Sequence, residues 1–311
     1  MPSQFPSPLK PDDMIGIVAP SSASPSEDLE KGITRLQQLG YRTKSAGNLT
    51  TKSHFLAGDS ATRLRETLSM LNDPEVDGIF CARGGDGSIQ LLPDFIDSLQ
   101  SSTPKIFVGY SDITLLQLAL SQRYGWVTFS GPMITTEIGT GSITRESEDH
   151  LWHLLTTPPA EWDLFPFGAS EVESWRDGSA SGPLLGGCLA LICALLGSRH
   201  LPDFENAVLI IEDTDESPRR IDRMLHQLRL NGIYDQINGM IVGRFEGCFP
   251  DDPSEDFTLQ ELVMNATQDY NFPILANFPY GHQTPRRLTV PLGAPVQFST
   301  SPVSFTLDLD G

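Results

Sequence analysis

Basic side chains are scarce in this chain: 21 Lys and Arg stand against 40 Asp and Glu, a formal charge of −19 over 311 residues. A surface so acidic repels phosphate backbones instead of releasing their counterions, which excludes nucleic acid as an expected partner. Cysteine is also rare, and Cys81, Cys188, Cys193 and Cys248 form no C-x-x-C pair. Neither a disulfide framework nor a thiolate metal site is therefore expected, and the apolar settings of Cys81 and Cys188 suit thiols packed as small hydrophobes. No apolar run reaches bilayer length; the most apolar stretch, residues 184–196, is interrupted by Gly186 and Gly187 and reads as a buried helix. The opening MPSQFPSPLKPDD lacks the basic flank and apolar core of a signal peptide, so a cytoplasmic protein with no membrane partner is expected. Six histidines show no H-E-x-x-H or comparable spacing, and no metal or other cofactor is expected. Internal repeats and low-complexity tracts are absent as well.

What is present is enough apolar material, 39% of residues, for one large α/β unit or two modest domains. Strand-length runs of Ile, Val and Phe at 14–19, 78–82, 105–109 and 126–130 alternate with helical patterns, the signature of parallel strands joined by crossover helices. Ser24, Pro25 and Glu27 read as a cap, a first-turn proline and a capping-box acid for a helix carrying Leu29, Ile33, Leu36 and Leu39; Leu64, Leu68 and Leu71 repeat the pattern. From about residue 139 to 182 the chain turns polar, with Pro158 and Pro159 and no clear period. The expected organisation is therefore a domain over 1–140, a connection over 141–182 and a second domain over 183–311. In the second domain, a strand at 207–211, a helix opened by Ser217 and Pro218, and a strand at 239–245 precede short alternating segments from Leu288 onward, which suit a mixed or antiparallel sheet.

Chemistry is concentrated at a few junctions. In KIFVGYSDITLL, Ser111 stands on the turn between a buried strand and a helix, where a serine is exposed and the first helical amides can stabilise an oxyanion. The competing reading is that Ser111 or Asp112 merely caps that helix; Ile113 also removes the second glycine of a G-x-S-x-G elbow. A second turn, Arg83-Gly84-Gly85-Asp86-Gly87, can hold an oxyanion or, like the phosphate turn of NAD kinases, a nucleotide; a nucleotide-dependent kinase using Gly84–Gly87 is thus one alternative. Of the histidines, His282 in PYGHQTP lies in a loop between apolar segments, whereas His150, His153 and His226 lie in helical contexts and His54 and His200 are weaker choices. Glu212 and Asp213 end a strand, and by position alone either can orient an imidazole.

Taken in order, RGGDGS, GYSDIT, TFSGP, GPLLGG, LIIEDT, RIDRMLHQLRLNG, GRF and GHQTPRRLTVPLG resemble the LD-carboxypeptidase family over most of the chain, from about Leu56 to Gly293. That family includes murein tetrapeptide carboxypeptidases and microcin C self-immunity hydrolases. The resemblance implies a flavodoxin-like α/β domain with a parallel sheet, followed by a smaller β-rich swivelling domain, a site in the cleft between them, and a homodimer. It implies a serine, histidine and glutamate triad at Ser111, His282 and Glu212, with the amides of Gly85 and Asp112 as the oxyanion hole. The implied activity is release of D-Ala from a murein tetrapeptide, a small muropeptide substrate, in cell-wall recycling; the alternative is hydrolysis of microcin C-type acyl-adenylates. Two positions depart from the pattern: Asp86 replaces the aromatic of R-G-G-Y-G, and Cys188 the asparagine of G-G-N-L. An acid beside the oxyanion turn disfavours a nearby substrate carboxylate, so Asp86 is expected to bear on substrate choice.

Overall fold

Buried apolar runs become parallel strands joined by helices in the computed structural model, which describes residues 2–100, 103–250, 256–282 and 286–309. The first of two units comprises Met1–Trp162 and Thr289–Gly293. Its elements run β1 (Met14–Val18), α1 (Ser26–Gln38), β2 (Arg42–Ser45), α2 (Ser60–Asn72), β3 (Gly78–Cys81), α3 (Leu92–Ser98), β4 (Ile106–Gly109), α4 (Thr114–Tyr124), β5 (Thr128–Ser130) and α5 (Arg145–Thr156). The sheet order is β11-β5-β4-β3-β1-β2, in which β11 (Val290–Leu292) returns to pair antiparallel with β5 and the other pairs are parallel. The five parallel strands follow the 2-1-3-4-5 order of flavodoxin-like sheets, so the order reverses between β1 and β3, and the loops leaving their carboxyl ends part there.

Helix α4 explains why the turn before it is firm. Each residue from Thr114 to Leu120 is buried, so the first two turns of the helix have no solvent face to slip on. Truncating one of these leucines to alanine would cost about 2–5 kcal/mol.

The second unit, Asp163–Leu288 with Ala294–Gly311, is the smaller. It contains β6 (Glu173–Arg176), β7 (Ser179–Cys188), α6 (Leu189–Leu195), β8 (Val208–Thr214), α7 (Pro218–Leu230), β9 (Gly239–Glu246), α8 (Leu259–Ala266), β10 (Ile274–Ala276), β12 (Pro295–Thr300) and β13 (Val303–Leu307). Its sheet runs β13-β12-β7-β8-β9-β10-β6, parallel through β7, β8, β9 and β10 and antiparallel at both edges. Helix α7 buries Ile221, Met224, Leu225 and Leu228, the stripe its spacing predicts. No helix among the described residues is long and apolar enough to cross a membrane.

Several local expectations differ from the structure. The stretch read as a buried helix over 184–196 is divided: Leu184–Cys188 pairs in register with Val208–Glu212 as the end of β7, and only Leu189–Leu195 is helical. Two consecutive glycines favour neither helix nor helix initiation, and the parallel pairing with β8 decides the matter. The expected connection over 141–182 is shared between the two units and carries α5, β6 and the start of β7. The period missed there is that of α5, which buries His150, Leu151, Leu154 and Leu155. At α1 the helix starts one residue later than the capping pattern predicts, with Pro25 at the cap position and no side-chain cap.

Candidate active site

Ser111 follows β4 after one residue, Tyr110, in a 3-10 turn over Ser111–Ile113 that leads into α4. Its φ is +62°, a left-handed conformation that costs a non-glycine residue about 1–3 kcal/mol and persists only where its surroundings enforce it. Neither Ser111 nor Asp112 caps the helix through its side chain. Instead the Asp112 carboxylate, 4% exposed, accepts from the Ser21 hydroxyl at 2.6 Å and the Ser88 amide at 2.8 Å, while Ser88 Oγ donates to the Asp112 carbonyl. Burial raises the Asp112 pKa, opposed by those hydrogen bonds.

The glycine-rich turn after β3 stands against this serine. A Cβ on Gly84 would lie 3.0 Å from Ser111 Cβ and 3.2 Å from its Oγ, and Gly85, at φ +109°, has Ser22 Oγ only 2.2 Å from where its own Cβ would be. The approach at Gly85 requires glycine, and a side chain at Gly84 would press on the serine. The turn is clamped from below by Arg63 on α2, fully buried, whose Nη1 donates to the carbonyls of Pro20 and Gly87 and whose Nη2 donates to Gln90 Oε1. Asp86 is exposed on the same turn, its amide donating to Ser22 Oγ at 3.3 Å.

In the second unit, His282 Nδ1 and Glu212 Oε2 are 2.6 Å apart, with the Glu212 residue 1% exposed. The pairing between β8 and β9 shifts register between Ile211 and Asp213, a bulge at Glu212 that re-aims the side chains there. Glu212 and Asp213 therefore divide their work. The Asp213 carboxylate accepts from the Ala190 and Thr214 amides at 2.9 Å each and lies 3.5 Å from Cys188 Sγ, at the start of α6; burial pushes its pKa up to about 6. The His282 loop comes close because Gly243 on β9 has no Cβ, which would sit 2.4 Å from the Tyr280 carbonyl. Arg244 N donates to that carbonyl at 2.7 Å, and buried Arg287 donates to the carbonyls of Gly281 and His282 at 3.1 Å each. For His282, burial acts to lower the pKa, but the hydrogen bond and charge of Glu212 outweigh it, and the net displacement is upward.

Of the residues singled out in the sequence, Ser111, Gly85, Asp86 and Asp112 gather in the first unit, and His282 and Glu212 pair in the second. Gln283–Pro285, which complete the PYGHQTP motif, lie outside the described residues. His150 accepts from the Thr289 amide within the first unit, His54 is on the β2–α2 connection, and His226 faces Asp222 on α7. The clamps Arg63, Ser21, Ser88 and Arg287 were not foreseen. Arg63 shares a helical face with Thr67 and Met70, a spacing that also suits an ordinary solvated arginine. Cys81, Cys188 and Cys248 are buried and Cys193 is partly so, all as free thiols. Burial raises the pKa of each, that of Cys193 to about 12, which withholds the nucleophilic thiolate.

Family models for the LD-carboxypeptidase N-terminal domain match residues 15–131, and those for the LD-carboxypeptidase C-terminal domain match residues 181–298. The chain belongs to the LD-carboxypeptidase family. Among its relatives, a probable murein peptide carboxypeptidase of Bacillus subtilis is 34% identical over 299 residues, covering 95% of this chain and 92% of that protein. The microcin C7 self-immunity protein MccF of Escherichia coli is 28% identical, covering 96% of this chain and 94% of its own length. The crystal structure of muramoyltetrapeptide carboxypeptidase from Oxalobacter formigenes superposes with a TM-score of 0.80 at 26% identity, covering 94% of this chain and 97% of that one. The LD-carboxypeptidase match includes the Gly84–Gly87 turn, so the resemblance to kinase phosphate turns rests on those few residues alone.

Proposed function

We propose that this LD-carboxypeptidase is a serine peptidase that removes the terminal D-alanine from a murein tetrapeptide, in cytoplasmic recycling of cell-wall peptides. The 2.6 Å bond between His282 Nδ1 and buried Glu212 carries the reading, because it leaves Nε2 as the basic nitrogen and fixes the imidazole's orientation. In this mechanism Ser111 Oγ attacks the scissile carbonyl while His282 takes its proton. The amides of Gly85 and Asp112 bind the developing oxyanion, His282 returns the proton to the leaving D-alanine amine, and water hydrolyses the acyl-enzyme. The positive φ of Ser111 and the contact with Gly84 support its role as nucleophile. The names of the murein peptide carboxypeptidases among its relatives support the substrate class.

The same machinery suits the acyl-adenylate of a microcin C-type antibiotic, and MccF is among the relatives. Mass spectrometry after separate incubation with murein tetrapeptide and a microcin C analogue distinguishes the two. Conversion of the tetrapeptide to tripeptide and free D-alanine is expected. Cleavage of the analogue alone would move the enzyme to the antibiotic substrate, and cleavage of neither would refute the hydrolase reading.

Asp86 supplies a second test. It is exposed on the oxyanion turn without belonging to the proposed triad, so Asp86→Tyr should change KM or substrate preference several-fold while altering kcat less. Steady-state kinetics on tetrapeptides differing in the third residue will show it; parameters unchanged for every substrate would remove Asp86 from the substrate's surroundings.

A further inference from the structure

At the point where the first unit's strand order reverses, a cavity of about 520 Å³ opens between the chain leaving β1, the connection after β2 and the turn after β3. Such a position is where open parallel sheets take their ligands. Three basic side chains, Lys52, His54 and Arg83, line it, and no acid does. This concentration runs against the chain's charge of −19. Arg83 is poorly used by the protein itself: Nη1 reaches only the Ala23 carbonyl at 3.4 Å, and the buried Nε has no partner. Ser24, 5% exposed, also lines the cavity with its Oγ unpartnered. The α1 terminus beside it begins at Ser26 without a side-chain cap. Buried donors are normally satisfied; here a guanidinium and a hydroxyl that the protein leaves underused belong to residues lining one cavity whose charged side chains are basic, a lining that suits an anionic ligand.

We infer that this cavity binds the free terminal carboxylate of the peptide substrate, with Arg83 as its principal partner and Ser24, Lys52 and His54 around it. The inference rests on the peptidase reading and adds to it the group that distinguishes a carboxypeptidase from an endopeptidase. A residue spans about 3.8 Å along the chain, so the terminal carboxylate lies one residue from the scissile carbonyl. Arg83 immediately precedes Gly84, whose Cα stands beside Ser111. A guanidinium fork matches a carboxylate in two parallel hydrogen bonds, and exposed Phe55 offers an apolar wall to a small side chain.

Two arms test the pocket. In kinetics, Arg83→Met should raise KM for the tetrapeptide about 10- to 100-fold, the loss expected of a charge-assisted contact, with a smaller change in kcat; Arg83→Lys should recover part of it. In equilibrium binding by the Ser111→Ala protein, N-acetyl-D-alanine should bind while N-acetyl-D-alaninamide does not, and Arg83→Met should abolish the difference. A fall in kcat with KM unchanged would assign Arg83 to the shape of the oxyanion turn and overturn the proposal. So would equal binding of acid and amide, or inorganic phosphate binding more tightly than the carboxylate. Failure of wild-type enzyme to hydrolyse the tetrapeptide would refute the peptidase reading, and the binding arm would still decide the pocket.

Discussion

Replacing Ser111 with alanine is expected to lower kcat on murein tetrapeptide by a factor on the order of 10⁴–10⁶, the loss that follows removal of a triad serine. The fold should survive the change. Ser111 is only partly buried, and its left-handed φ is imposed by the packed ends of β4 and α4, which alanine leaves in place. Alanine keeps the Cβ, so the strain is neither relieved nor increased and the melting temperature should barely move. Loss of activity with an unchanged melting curve identifies chemistry lost at one oxygen atom. Wild-type kcat in the alanine variant would remove Ser111 from the mechanism.

The second large effect is expected at Glu212. In the proposed mechanism the working form of His282 is the free base; its pKa stands above the ordinary imidazole value because Glu212 outweighs burial. Activity of the wild type should therefore climb as pH rises through the neutral range and level off once His282 is deprotonated. Glu212→Gln removes the largest influence that raises the pKa and leaves burial and the Arg287 guanidinium, which lower it, against only the smaller upward pull of Asp213. The rising limb should move to lower pH. An amide in place of the carboxylate also admits the wrong imidazole tautomer, so the plateau kcat should fall by about 10³- to 10⁴-fold. Profiles of kcat and of kcat/KM against pH for both proteins check both effects together. A near-wild-type plateau, or a limb displaced to higher pH, would exclude Glu212 as the partner that sets the imidazole, and Asp213, buried next to it with a pKa near 6, would be the next residue to test.

Strands that are buried on both faces were legible in the sequence because a continuous apolar run admits few other uses. Residues 14–18, 78–81 and 106–109 show this, with every position but Met14 buried. Strand β2 was not legible, since RTKS is a polar edge strand with an exposed face. Its place is set by pairing with β1 and not by its own composition. The Leu184–Cys188 segment is ambiguous in sequence for a related reason: its apolar residues are compatible with a helix, and only register with β8 makes it a strand. At the site, Ser111 and His282 were visible as polar residues at turns between apolar elements. The choice between Glu212 and Asp213 was open by position, and in the structure the β8 bulge directs one carboxylate to His282 and the other to the first turn of α6. The clamps Arg63 and Arg287 were invisible because each acts on main-chain carbonyls, which have no sequence signature.

The central claim is that Ser111 is an activated nucleophile, and reaction with a fluorophosphonate tests it most directly. After labelling and digestion, peptide mass spectrometry should place a single stoichiometric adduct on Ser111, with hydrolysis of the tetrapeptide lost in proportion to labelling and no adduct in the Ser111→Ala protein. Full hydrolytic activity in protein that carries the adduct, or an adduct on another residue accompanying the loss of activity, would contradict it.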